Sequence, residues 1–314
     1  MVRPALVAVL VALALALGAQ PADATFPGRN GALVFLSDYG HGFTEAYVGF
    51  AGLGGARHDE VFACSGMYSG ADYCLYAGWP AVSPDGTRAA LLTDDGAPSG
   101  SGWAARSSLR ILGLSDGSRR VVPVSSPAGV RAYHDRPDVT WSPDGKALLA
   151  AQDGGLYRID LDGIEQGLVV SNASEPDWAA DGRIAFVRGR NIYVGPPEGP
   201  FRQLTSRGGW APSWSPHAGW IAFSRGHGVW AVRSSGGKAK RVVRSGPAHR
   251  YIGFQGPAWS PDGKLIGYYR ERGGDVYLST VGWRTGRVRR ITDKLSSWEA
   301  GLSVSPFAWQ SLPR

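Results

Sequence analysis

Aromatic rings beside mixed charges recur along the chain: Tyr76 and Trp79, Tyr133-His134-Asp135-Arg136, Glu175, Trp210, Arg250-Tyr251 with Phe254-Gln255, and Trp298-Glu299. Flat apolar surface with a few orienting polar groups is what a binding funnel needs. The same set holds ionisable groups at His134, Asp135, Glu175 and Glu299, so acid and base work on a polysaccharide or small molecule is the second chemistry it could support. The plain alternative is solvated loops with a few aromatics plugging a channel.

Stronger catalytic signals are missing from the sequence. There is no Gly-x-Ser-x-Gly elbow, no His-Glu-x-x-His and no glycine-rich phosphate loop between a strand and a helix, so no nucleophile can be named and no cofactor is expected. The histidines (His41, His58, His134, His217, His227, His249) stand singly, which argues against a histidine-built metal site. Asp160-Leu161-Asp162-Gly163 opens like a calcium loop but lacks the oxygen ligands that should follow, and reads as a turn. Asn172-Ala173-Ser174 fits a glycosylation sequon and reads as incidental.

The elements that must position the funnel are set by a repeat. Val82-Ser83-Pro84-Asp85-Gly86, Trp141-Ser142-Pro143-Asp144-Gly145, Trp214-Ser215-Pro216 and Trp259-Ser260-Pro261-Asp262-Gly263 share one phrase. A degenerate copy stands at Trp178-Ala179-Ala180-Asp181-Gly182, and Val304-Ser305-Pro306 reads as a sixth, truncated one. Ser-Pro-Asp-Gly suits a type I turn whose glycine takes the left-handed position, hence a hairpin. Apolar second strands follow (Ala89 to Leu92, Leu148 to Ala150, Ile184 to Val187, Ile221 to Ser224, Leu265 to Tyr269), and Leu33 to Leu36 reads the same way. Third strands such as Leu156 to Ile159 and Val229 to Val232, then basic fourth strands such as Arg119 to Val124 and Lys240 to Arg244, complete each unit.

Four short strands per repeat make a propeller blade, and the copies imply an all-β, six-bladed β-propeller. The first strand after the leader (Gly31 to Ser37) lacks an inner partner, and Leu302 to Phe307 lacks a second strand. The N- and C-terminal strands are therefore expected to pair and close one blade. Trp141, Trp178, Trp214 and Trp259 fall in one repeat column and should pack between blades. The segments ahead of each first strand, which carry the aromatic and charged residues above, should converge at one mouth of the channel.

Trp-Ser-Pro-Asp-Gly-Lys, an apolar strand, Tyr-Val or Tyr-Leu, and then Gln-Leu-Thr or Arg-Ile-Thr resembles the repeat of TolB-type six-bladed β-propellers over residues 26 to 310. TolB also carries a mixed α/β domain ahead of its propeller and serves the Tol-Pal envelope system; this chain leaves no room for that domain. The resemblance implies an interaction module.

Arg3, the apolar run Ala5 to Leu17 and Ala22-Asp23-Ala24 read as a signal peptide over residues 1–24, with no cysteine near the cleavage site to carry a lipid. Residues 25–314 are then one propeller domain at roughly 48 residues per blade. The expected location is extracytoplasmic, periplasm or medium, with no membrane-spanning segment and a monomeric state. Cys64 and Cys74, ten apart in a loop-like stretch, are expected to form a disulfide, with a metal or redox pair as the alternative.

The formal charge is +7. Much of it lies on fourth strands (Arg119, Arg120, Arg241, Arg244, Arg287, Arg289, Arg290), where cations repel other sheet edges or attract anionic envelope polymers. Basic residues spread in this way do not make a nucleic-acid surface. The stretch Asp94 to Ser107 is either a flap over the funnel or slack, and its Gly-, Ser- and Ala-rich composition favours slack. Two functions follow: an exported module binding a protein segment or a cell-envelope polymer at the channel mouth without turnover, or an extracytoplasmic enzyme with its site in the funnel.

Overall fold

The computed structural model describes residues 26–38, 45–52, 55–65, 76–77, 80–94, 97–99, 102–104, 107–123, 139–152, 154–161, 166–244, 256–272, 275–291, 296–297 and 307–313. Among them all regular structure is β-strand. Five successive sheets follow the repeat, each ordered from the channel outwards. Blade 2 holds Ala81–Val82, Arg88–Asp94, Ser107–Gly113 and Arg119–Pro123, with the short Tyr76–Ala77 also paired to its second strand. Blade 3 holds Val139–Trp141, Ala147–Gln152, Gly155–Asp160 and Gln166–Ser171. Blade 4 holds Ser174–Trp178, Ile184–Arg188, Asn191–Gly195 and Arg202–Gln203. Blade 5 holds Trp210–Trp214, Trp220–Ser224, Gly228–Arg233 and Lys240–Arg244. Blade 6 holds Ala258–Trp259, Leu265–Arg272, Asp275–Gly282 and Val288–Arg290, and Ser296–Ser297 also pairs with its third strand.

Blade 1 joins the two ends of the chain: Phe307–Leu312 lies innermost, followed by Arg29–Asp38, Glu45–Gly52 and Gly55–Ser65. Its closing register pairs Phe307 with Phe35, Ala308 with Val34 and Trp309 with Leu33. Inner strands of consecutive blades touch all the way round, so the sheets form a closed six-bladed β-propeller of antiparallel blades.

The recurring phrase is a hydrogen-bonded unit. In blade 2 the Ser83 hydroxyl donates to Asp85 Oδ1 at 2.6 Å, the Thr87 N–H donates to the same oxygen at 3.0 Å, and the Arg88 N–H donates back to Ser83 Oγ at 2.9 Å. Blades 3 and 6 repeat this with Ser142/Asp144 and Ser260/Asp262. The turn glycines Gly86, Gly145 and Gly263 have φ of +71°, +67° and +67°, a region that costs a side-chain-bearing residue energy.

The core lies between blades. Each column tryptophan packs on the blade before its own: Trp141 with Ala90, Leu92 and Ile111, Trp214 with Ala185, Val187 and Ile192, and Trp259 with Ala222 and Val229. Arg88 and Arg183, each one residue before the strand partner of its own blade's column residue (Ala89 opposite Val82, Ile184 opposite Trp178), reach across to the next blade. Their guanidinium carbons lie 4.6 Å and 4.8 Å from the centres of the Trp141 and Trp214 rings, and their Nη2 groups donate to Gly145 O and Ala218 O at 3.1 Å and 3.0 Å. One cation thus covers an aromatic face and satisfies a turn carbonyl.

Two expectations need correction. The closing inner strand described is Phe307–Leu312, C-terminal to the expected Leu302 to Phe307, and the sixth column position belongs to Trp309. Trp309 is 3% exposed, and its indole N–H donates to Ala258 O at 3.1 Å, as that of Trp141 does to Ala81 O at 2.9 Å. Burial of this indole decides the register; Val304-Ser305-Pro306 lies outside the described residues. The Asp94 to Ser107 insertion is not slack throughout, because Ala97–Ser99 and Gly102–Ala104 pair as a small hairpin with Pro98 opposite Trp103. Backbone pairing there overrides the flexible composition.

Candidate binding site at the channel mouth

The inner strands share a second pattern, proline, a small or polar residue, then the column residue: Pro80-Ala81-Val82, Pro176-Asp177-Trp178, Pro212-Ser213-Trp214 and Pro257-Ala258-Trp259. Val139-Thr140-Trp141 and Phe307-Ala308-Trp309 fill the same places without proline. An innermost strand is a sheet edge whose spare N–H groups face the channel, and proline removes a donor there. All of these but Trp178 and Trp214, with Phe26, Ala211 and Gly256, wall a central cavity of about 110 Å³.

The middle residue of each triplet ties one blade to the next. Trp178 N–H donates to Thr140 Oγ1 at 3.2 Å, Trp214 N–H to Asp177 Oδ2 at 2.6 Å, and Trp259 N–H to Ser213 Oγ at 3.2 Å. The Trp214 indole also donates to Asp177 O at 3.1 Å. Asp177 is the one charged side chain among the described lining residues, and its carboxylate is engaged in this belt. Single-residue motifs do not expose the belt; aligning the Pro-x-Trp triplets would have.

The mouth that receives the connections between blades also receives the turns between second and third strands. Two of the expected rim side chains are described there. Glu175 is 2% exposed, and its Oε2 accepts the Ala211 N–H at 2.5 Å. Glu175 and Ala211 stand at matching positions of blades 4 and 5, both with left-handed backbone (φ +54° and +48°), and the pairing of both inner strands is irregular at that point. The acid expected at the funnel rim at 175 is thus buried and ties blade 4 to blade 5, since a buried carboxylate needs a donor. Trp210 opens the inner strand of blade 5 and is half-buried against the cluster around Trp214 and Phe223.

Tyr76 has its backbone in the short strand opposite Asp94. Trp79, Tyr133, His134, Asp135, Arg136, Tyr251, Trp298 and Glu299 lie outside the described residues. Cys64 has its backbone in the outer strand of blade 1 opposite Ala46, and Cys74 lies outside the described residues, as does the leader. No group of three or more metal-ligating side chains is found among the described residues. No helix among them is long and apolar enough to cross a membrane.

The sequence reading did not single out a set of cations at this mouth. Arg190 belongs to the second turn of blade 4, Arg225 to that of blade 5, and Arg207 to the connection between the two blades. The three segments meet at Gly208, which Arg207 precedes and the Arg190 carbonyl faces. Arg225 donates from Nε and Nη2 to Gly208 O at 2.9 Å and 2.7 Å, and the Gly208 N–H donates to Asn191 Oδ1 at 3.0 Å. Burial first, and Arg207 second, hold the Arg225 guanidinium below its ordinary value.

This architecture is that of known propellers. TolB of Acinetobacter baumannii superposes with a TM-score of 0.64 at 18% identity, over 90% of this chain and 67% of that one. A protein of Agrobacterium tumefaciens assigned as TolB gives 0.57 at 19% identity, over 76% and 91% of the two chains. In sequence, an uncharacterized protein of Agrobacterium fabrum is 26% identical over 213 residues, 62% of this chain and 68% of its own. No family model matches. The fold is that of the TolB-like β-propellers.

Proposed function

We propose that the chain is an exported, monomeric interaction module that binds a protein segment or an envelope polymer at the channel mouth, without turnover and without a cofactor. One observation carries this reading. Glu175 at the rim and Asp177 in the channel wall both give their carboxylates to backbone N–H groups of the next blade, Ala211 and Trp214. Acid and base catalysis needs a group that can exchange protons with a substrate, whereas binding needs a rigid rim, which this belt supplies. The TolB-like fold and the leader-like residues 1–24 favour an extracytoplasmic role, although fold alone does not fix function.

The test is capture of proteins and glycans from envelope extracts of the native organism on the purified protein, beside a variant carrying Trp210→Ala, Tyr251→Ala and Trp298→Ala. A partner held by the parent and lost by the variant supports a binding mouth. Capture that ignores the rim substitutions, or turnover of a captured glycan, sinks the reading.

A further inference from the structure

We propose that Arg190, Arg207 and Arg225 form an anion-recognition site at the channel mouth that selects an extended acidic peptide segment. The inference rests on the binding role proposed above and names the chemistry of the ligand. Arg190 and Arg207 are exposed and make no hydrogen bond or ion pair with any described residue. Arg225 is a fixed group: its guanidinium carbon lies 4.9 Å from the Phe223 ring centre and 5.2 Å from that of Trp230, and two of its nitrogens donate to Gly208 O. Its Nη1 edge makes no bond to a described residue. A guanidinium already immobilised loses little further freedom when it binds an anion.

The placement is as specific as the charges. The Arg190 carbonyl packs against Gly208, Arg207 precedes that glycine, and Trp210 follows it by two residues. The segments of the three arginines thus meet at one glycine, three residues ahead of Ala211 of the cavity wall. Glu175, next to this connection, is buried and accepts the Ala211 N–H. Like charges held together without a neutralising partner favour a bound anion, and arginine suits a carboxylate.

A peptide fits better than an anionic polysaccharide. The channel wall is mostly alanine, proline and valine, and its polar side chains Thr140, Asp177 and Ser213 already accept N–H groups of the next blade. A sugar chain would bring hydroxyls that this wall leaves unpaired, which costs binding energy. A peptide can place small apolar side chains over the wall and its carboxylates on the arginines.

The experiment uses the purified protein and short synthetic peptides with an Ala/Val/Pro centre flanked by Glu, by Gln or by Lys, with sodium polygalacturonate as the glycan probe. The Glu-flanked peptide should bind about tenfold more tightly than the Gln-flanked one, the size expected for a charge-assisted contact. That preference should fall with added salt. An Arg190→Gln/Arg207→Gln variant, whose changed side chains bond to nothing described, should lose the preference and keep its affinity for the Gln-flanked peptide. Equal binding of Glu and Gln peptides, or an unaffected arginine variant, overturns the arginine site while Trp210-dependent peptide binding leaves the mouth intact. Tighter binding of polygalacturonate than of the Glu-flanked peptide overturns the choice of a peptide. Failure to bind any probe overturns both the site and the binding role.

Discussion

Asp177 and Trp214 hold each other twice: the Trp214 backbone N–H donates to the Asp177 carboxylate at 2.6 Å, and the Trp214 indole donates to the Asp177 carbonyl at 3.1 Å. Blade 4 thereby grips blade 5 at the channel wall. Asp177→Ala should cost about 1.5–3 kcal/mol, the range for hydrogen bonds to a charged group. Asp177→Asn, which keeps an acceptor, should cost less. Urea denaturation of the two variants checks the order, and equal stability of Asp177→Ala and the parent would remove the belt from the list of stabilising features.

Trp214 is fully buried. Its truncation to alanine should cost roughly 3–5 kcal/mol, as for other large buried aromatics. Trp214→Phe keeps most of the packing and loses the indole bond, a loss of about 1 kcal/mol plus the residual cavity. Thermal melts of both variants separate packing from hydrogen bonding at this column.

Two turn glycines with similar backbone angles make a paired test of the closure. A Cβ on Gly86 (φ +71°) would run into the Ser311 carbonyl oxygen of the closing strand, whereas one on Gly117 (φ +66°) meets nothing within 4 Å. Gly117→Ala should cost about 1–2 kcal/mol from the left-handed conformation alone. Gly86→Ala should cost clearly more, because backbone of blade 1 must also move. Equal denaturation midpoints would show that the contact between blades 1 and 2 yields easily.

Burial by itself would raise the carboxyls of Asp85, Asp144 and Asp262. The serine hydroxyl and the following backbone N–H outweigh it, and all three lie below the ordinary carboxylate value. A carboxyl lower in the folded than in the unfolded chain contributes stability that is complete above the unfolded value of about 3.9 and is lost as pH falls through the folded value. The chain should therefore weaken below about pH 4. The Asp85→Asn/Asp144→Asn/Asp262→Asn variant should be less stable at neutral pH and show a flatter acid limb in guanidinium midpoints taken across that range. An unchanged acid limb would place the acid sensitivity elsewhere.

The blades were legible because their signals are local. Ser-Pro-Asp-Gly specifies its own turn through Ser83, Asp85 and Gly86, and the apolar strands after it have nowhere to go but the inter-blade core. Trp309 escaped the sequence reading because Gln310-Ser311-Leu312 follows it where most other column positions lead into Ser-Pro; its indole role becomes visible only beside Ala258. Glu175 looked like a loop acid because sequence shows charge and not burial. Arg190, Arg207 and Arg225 come from three separate segments, and only the ring brings them to one glycine.

The pairing of Arg29–Asp38 with Phe307–Leu312 has a consequence for how such a chain comes into being. Synthesis from the N-terminus leaves the second strand of blade 1 as an unfinished template until Phe307–Leu312 has been made, so the ring cannot lock early. Contacts that span almost the whole sequence are slow to form. In the interval that edge is open to any other strand of matching pattern, including one from another copy still being made.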